Sequence, residues 1–219
     1  MISCHQLSKS YITNNNKIII YDNLDWSVNY WDSVAIMWPS WSGKSTLLNL
    51  ISWLDVPDNW FVSFWNKNIS ELSEDDRTIW RSKNVGFIFQ QFHLIPNLNI
   101  EDNIELVIDI TNVDRRFETK EILEKVWLWW YEKRYPHQLS GWEQQRVAIA
   151  RAFVAKLPLL LADEPTWNLD HNNAILIMDL MMNLQKEFKT TIIIITHDPQ
   201  VSLYCNTRYK LQNWKLHLQ

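Results

Sequence analysis

Trp38-Pro39-Ser40-Trp41-Ser42-Gly43-Lys44-Ser45-Thr46 contains the residue types that hold phosphate. A lysine can place a point charge at β/γ-phosphate oxygens, a hydroxyl can bind Mg²⁺, and backbone N–H groups at a helix start can meet the remaining oxygens. The spacing fits G-x-x-x-x-G-K-[ST] except at its first position, which is Trp38. A second set is Asp163-Glu164, which ends the apolar run Leu159-Leu160-Leu161-Ala162. Asp163 suits Mg²⁺ held through water, and Glu164 suits a general base acting on an attacking water. His197 ends the β-branched run Thr190 to Thr196, and Gln90 ends the run Val85 to Phe89. Carboxylate, imidazole and amide thus all stand at strand ends, where open α/β sheets take ligands.

Ser140-Gly141-Trp142-Glu143 has S-x-x-E spacing, that of a capping box with Ser140 as N-cap and Glu143 at N3. Such a helix start also offers N–H groups and a positive dipole end to an anion, although capping alone would account for Ser140 and Glu143. Tyr11 is either a turn aromatic or a stacking platform for a nucleotide base.

These groups need a scaffold, and hydrophobic periodicity supplies one. Ser33 to Met37 reads as a buried strand, and Leu47 to Ile51 as the helix that follows the phosphate stretch. Upstream, period-2 patterns predict a first strand from Ile2, a second over Lys17 to Tyr21, and a third over Leu24, Trp26 and Val28, with Tyr11 in the loop between the first two. Downstream, Phe61 to Trp65 reads as a strand and Ser70 to Arg81 as a polar helix. From Glu101 to Lys156 the pattern turns helical, with Ile104, Val107, Ile122, Val126 and Trp130 spaced i, i+3/i+4.

The expected fold is α/β: a P-loop NTPase core of mostly parallel sheet with flanking helices, an N-terminal antiparallel β subdomain and an inserted helical subdomain. It forms one domain over 1–219, with core 1–94 and 158–219 and helical insert 95–157. A chain of 219 residues buries a core of that size. A net charge of −4 gives no basic footprint for nucleic acid. Cys4 and Cys205 lack a CxxC partner or a histidine cluster and read as reduced, buried thiols. No apolar run approaches the length of a membrane span.

The order of these motifs resembles the nucleotide-binding subunit of an ATP-binding cassette (ABC) transporter over essentially the whole chain. The resemblance implies that Tyr11 stacks on adenine and that Trp38, Pro39, Ser40, Trp41, Ser42, Gly43, Lys44, Ser45 and Thr46 surround the phosphates. Gln90 is then the Q-loop glutamine, and Leu139-Ser140-Gly141-Trp142-Glu143-Gln144 is the signature. Asp163-Glu164 is the Walker B pair, Asn168-Leu169-Asp170 the D-loop, and His197 the switch histidine. It further implies ATP and Mg²⁺ as cofactors, with Ser45, Gln90 and Asp163 on the metal and Glu164, Gln90 and His197 in catalysis. The partners implied are an integral-membrane permease and a second copy of the chain closed around two ATP, at the cytoplasmic face of the cell membrane. The stretch Gly86 to Pro96, with Glu101 to Leu106, is similar to the lipoprotein-releasing and macrolide-export branch.

One departure recurs. The chain has 3 glycines and 14 tryptophans. Trp31, Trp38, Trp41, Trp53, Trp60, Trp65, Trp142, Trp167 and Trp214 stand where the resembled family has glycine. Each such position that needs φ > 0 costs roughly 1–2 kcal/mol when occupied by another residue. Rival expectations are a nucleotide-binding or fold-only module in which Trp38, Trp41 and Trp142 impair hydrolysis, and a soluble cassette ATPase unconnected to transport.

Overall fold

The computed structural model describes residues 2–13, 16–37, 44–65, 67–111, 119–212 and 215–219, with the backbone alone at Thr13, Ser45 and Trp60. In chain order the strands and helices are β1 (Ile2–Thr13), β2 (Asn16–Val28), β3 (Ser33–Met37), α1 (Lys44–Ile51), β4 (Asn59–Phe64), β5 (Lys67–Asn68), α2 (Glu74–Asn84) and β6 (Val85–Ile88). They continue with α3 (Ile100–Thr111), α4 (Thr119–Lys125), α5 (Gly141–Phe153), β7 (Leu159–Asp163), α6 (His171–Phe188), β8 (Thr191–Thr196), α7 (Pro199–Ser202), β9 (Thr207–Gln212) and β10 (Lys215–Leu218). The described part of the expected phosphate stretch begins at Lys44; residues 38–43 lie outside the described set.

The chain divides into two compact units, one of residues 1–81 and 193–219, the other of residues 82–192. In the first, β1 pairs antiparallel with β2 and β4, forming the order β2-β1-β4-β5. One continuous strand, β2, replaces the two strands expected over Lys17 to Val28. The pattern breaks there because Asn23 has φ 52° and the β1–β2 register shifts between Leu7 and Ser10, a local irregularity within one strand. Ile2, Cys4, Leu24, Trp26 and Val28 face inward, as their period-2 spacing predicts, and Leu7 joins them out of period because the register shifts between Cys4 and Leu7, where Gln6 has φ 44°. Trp26 meets Tyr209 of β9 edge-on at 5.9 Å between ring centroids. Strand β3 pairs parallel with β9 and is buried from Ser33 to Ile36, so it reads as a continuous apolar run. Cys4 and Cys205 are both free and buried, and burial pushes each thiol up to about 12.

In the second unit β6 pairs parallel with β7, Val85 opposite Leu159 through Ile88 opposite Ala162. Its core takes Ile100 and Ile104 from α3, Ile122 from α4, Val147, Ile149 and Phe153 from α5, and Ile177 and Met181 from α6. Full burial of each such apolar side chain stabilises by about 2 kcal/mol. Gly86 is needed at a close approach: a Cβ there would lie 3.1 Å from the Ala152 carbonyl oxygen and 3.1 Å from Leu160 Cδ1. The expected helix over Ser70 to Arg81 is a 3-10 turn at Ile69–Glu71 followed by α2, and the helical stretch from Glu101 resolves into α3, α4 and α5. Between α4 and α5 the chain runs through turns and one 3-10 turn, Pro136–Gln138.

Candidate functional site

In the first unit, Lys44 opens α1, the next described element after β3 in the chain, which is the strand-then-helix order that the phosphate reading requires. Ser45 follows it, and Thr46 is buried. Tyr11 lies within β1, opposite Ile18, and not in a loop; the hairpin reverses farther on, after Thr13. Its hydroxyl donates to Asp55 Oδ2 at 2.8 Å. Asp55 also accepts from Lys9 Nζ at 2.8 Å, and the same ammonium donates to the Val56 carbonyl at 2.7 Å. Burial works to raise the Asp55 carboxyl, but hydrogen bonds from Lys9 and Tyr11 hold it below the ordinary carboxylate range. This anchor ties β1 to the loop after α1, and neither Lys9 nor Asp55 is marked by any sequence motif. His197 is exposed directly after β8, where Thr196 Oγ1 accepts from the Asp198 N–H at 3.0 Å and Asp198 caps α7 through the Gln200 N–H at 2.8 Å.

In the second unit, Gln90 stands two residues beyond the end of β6 and is half-buried. Two residues beyond it the backbone is braced by Arg151 of α5, whose Nη2 donates to the Phe92 carbonyl at 2.8 Å and Nη1 to the His93 carbonyl at 2.7 Å. Asn103 fixes the next turn: its Oδ1 accepts from the Ile95 N–H at 2.8 Å, and its Nδ2 donates to the carbonyls of Ile95, Leu98 and Asn99. Both residues escaped the sequence reading. A buried Asn inside a helix is the signal for one, since its side chain competes for backbone partners. Arg151 carries no comparable signal.

Ser140 is the N-cap of α5, and the capping box forms. Glu143 Oε2 accepts from the Ser140 N–H at 2.7 Å and from its hydroxyl at 2.5 Å. Gly141 is exposed, and a Cβ on it would meet Phe92 Cζ at an ordinary 3.8 Å. Trp142 is half-buried with helical backbone, its ring 3.8 Å from the Arg146 guanidinium carbon. Arg146 itself is buried and donates through Nη1 to the Val126 carbonyl at 3.1 Å. Asp163 closes β7 half-buried, and Glu164 follows it buried at φ 47°. A non-glycine residue held there stores on the order of 1 kcal/mol, as residues at working sites commonly do. Asp170 caps α6, accepting from the Asn173 N–H at 3.0 Å and from its Nδ2 at 2.6 Å; these bonds lower its carboxyl.

The backbone corrects the expectation about tryptophan. Of the nine positions, Trp31, Trp53 and Trp65 have φ of 59°, 56° and 51°. Trp60, Trp142 and Trp167 do not have positive φ, so no left-handed strain arises there. Trp38, Trp41 and Trp214 lie outside the described residues. Trp127, which the sequence reading did not single out, has φ 57°.

Comparison with known proteins gives one answer at three levels. The ABC transporter family model matches residues 21–167. An uncharacterised ABC transporter ATP-binding protein of Methanocaldococcus jannaschii is 39% identical over 219 residues, covering 99% of this chain and 97% of that protein. A lipoprotein-releasing system ATP-binding protein, LolD, of Pseudoalteromonas translucida is 38% identical over 205 residues, covering 92% and 88%. Among solved structures, a dimeric ATP-binding cassette in a post-hydrolysis state, bound to ADP and Pi, is 34% identical with a TM-score of 0.89, covering 100% of this chain and 98% of the other. The fold class read from the motifs is therefore the observed one, and the chain belongs to the ABC transporter family.

Proposed function

We propose that the chain is the ATP-hydrolysing subunit of a membrane transporter, working as a homodimer around two ATP with Mg²⁺. The observation that carries this reading is the full-length likeness to a dimeric cassette bound to ADP and Pi. In this reading Lys44 and the N–H groups at the start of α1 hold phosphate oxygens, while Ser45 and Thr46 continue that turn. Trp38, Pro39, Ser40, Trp41, Ser42 and Gly43, just before them in the sequence, surround the phosphates, and Tyr11 stacks on the base.

Asp163 and Gln90, with Ser45, hold Mg²⁺. Among the described residues no cluster of three or more His, Cys, Asp or Glu gathers. One strand-end carboxylate supplemented by phosphates fits Mg²⁺, which keeps several waters and seldom takes an all-protein cage. Bound Mg²⁺ supplies neutralisation of charge on the transferring phosphoryl group. Glu164 takes the proton of the attacking water, and His197 donates to the γ-phosphate.

The start of α5 serves the partner's nucleotide. Glu143 occupies the Ser140 N–H and hydroxyl, which fixes the helix start and leaves the N–H groups beyond it directed outward along the dipole. Nothing described in the chain crowds Gly141, so a phosphate approaching from a second copy supplies a reason for the missing side chain there. Asp170 lies on the segment that would meet that copy. Residues 95–157 form the signature subdomain of a single cassette spanning 1–219.

The partner in this reading is an integral-membrane permease; among the described residues no helix is long and apolar enough to cross a membrane. The naming of relatives as lipoprotein-releasing ATP-binding proteins favours an export or lipoprotein-release transporter over an unconnected cytosolic cassette. The subunit then sits peripherally at the cytoplasmic face of the cell membrane. Phosphate release from ATP by the purified protein tests the reading: turnover lost in Lys44→Ala is expected, and equal turnover in the variant contradicts it.

A second reading, binding without hydrolysis, is favoured by Trp142. Its indole occupies the first turn of α5 against Arg146, where the proposed partner nucleotide must approach.

A further inference from the structure

Trp31, Trp53, Trp65 and Trp127 make up four of the ten described non-glycine residues with positive φ. For a bulky side chain that backbone is an outlier, whereas glycine adopts it freely. Where another residue is tolerated there, it is ordinarily Asn or Asp, whose short polar side chain bonds locally. Packing does not explain three of the four either. Trp31, Trp65 and Trp127 are 59%, 46% and 47% exposed, so three indoles that strain the backbone gain little burial. Trp53 is the exception, buried edge-on to Trp80 at 4.6 Å and to Phe64 at 6.0 Å between ring centroids, yet it too holds a left-handed backbone and its Nε1 has no hydrogen-bond partner.

The pattern also ignores local structure. Strained turns (Trp31, Trp65, Trp127), a strand (Trp60) and a helix start (Trp142) carry the same residue, while glycine falls to 3 in the whole chain. Independent substitutions of glycine would scatter over several residue types, and folding constraints would retain small or polar ones at φ > 0. A change that follows residue type and disregards place belongs to decoding.

We propose that Trp31, Trp53, Trp65 and Trp127 mark one codon that the protein's own cell decodes as glycine and that this chain carries as tryptophan. By the same rule Trp38, Trp41 and Trp142 are glycine in the protein that the cell makes. Its phosphate stretch then fits the full G-x-x-x-x-G-K-S spacing and its signature reads Ser-Gly-Gly. Trp26, which packs on Tyr209 from a β-strand, and Trp80, whose ring lies 4.8 Å from that of Phe64, have ordinary φ and are tryptophan in both.

The inference stands on backbone geometry. Only its consequence for residues 38, 41 and 142 rests on the proposed function, so the test does not use ATP. Peptide mass spectrometry of the protein isolated from its own cells should find glycine at 31, 53, 65 and 127 and tryptophan at 26 and 80. Tryptophan at the first four positions overturns the proposal. A second measurement uses the tryptophan-bearing chain: Trp31→Gly, Trp65→Gly and Trp127→Gly should each raise the urea midpoint, whereas Trp130→Gly, at an exposed site with ordinary φ, should not. Midpoints that fall in all four variants overturn it equally.

Discussion

Arg151 of α5 and His93, in the segment that follows Gln90, are joined by a 2.7 Å hydrogen bond from guanidinium to carbonyl, made where His93 itself holds φ 48°. With the second bond to Phe92, the helix that begins at Ser140 is tied to the loop that begins at Gln90. The two segments assigned to metal and to partner nucleotide therefore share one mechanical element. Arg151→Ala should remove two charge-assisted bonds and destabilise the protein by about 2 kcal/mol. Urea unfolding would measure it, and limited proteolysis should show cleavage near residues 90–95 before global unfolding. A variant with unchanged stability and cleavage would mean the brace is idle.

Lysines 9 and 44 are predicted to separate cleanly. Lys9 is buried and paired with Asp55, so Lys9→Ala removes the cation from a carboxylate that keeps its bonds from the Tyr11 hydroxyl and the Val56 N–H, and costs about 2 kcal/mol of stability, between the exposed and fully buried cases. Lys44→Ala should leave the unfolding midpoint nearly unchanged and weaken ATP binding at least tenfold, as titration by intrinsic fluorescence would record. The opposite assignment of effects would reverse their roles.

The Glu143 carboxyl gives a pH prediction. Burial works to raise it, but hydrogen bonds from the Ser140 hydroxyl and N–H hold it below its ordinary value. A carboxyl depressed on folding stabilises the fold above its unfolded pKa, about 4.3, and loses that contribution as pH falls through the folded value. Glu143→Ala should therefore cost about 1 kcal/mol at pH 7, and the gap from the parent protein should narrow below about pH 4. Denaturant curves at the two pH values decide it; a gap independent of pH would show that the carboxylate is not the capping group.

The two glycines should behave differently. Gly86→Ala drives a Cβ against the Ala152 carbonyl and Leu160 and should destabilise by about 1–3 kcal/mol. Gly141→Ala meets only Phe92 at 3.8 Å, so folding should be unaffected while nucleotide-dependent assembly falls. Equal thermal shifts for the pair would remove the argument that Gly141 is small for the sake of a second molecule.

How much of this was legible in the sequence depended on the range of the interaction. The run Leu159 to Asp163 and the capping box at Ser140 are local patterns, and both elements form where the pattern places them. Tyr11 reads as a residue of the loop between the first two strands; the strand continues past it because Ile12 and Thr13 still pair across the hairpin, a contact between strands that local pattern does not encode. Arg151, Asn103 and Lys9 act over long sequence distances through backbone carbonyls and one carboxylate, and no short motif encodes such contacts. The tryptophans are legible as misplaced, and strain is expected wherever one of them needs φ > 0; which of them carry it is not legible, since φ at Trp31 or Trp65 is a property of the turn and not of the residue type.

ATP-driven pairing of two copies is tested by the mass, from light scattering, of the Glu164→Gln protein with Trp38, Trp41 and Trp142 returned to glycine. With ATP and Mg²⁺ the mass should double, and with ADP it should remain that of one chain. A mass that does not depend on the nucleotide would contradict the account.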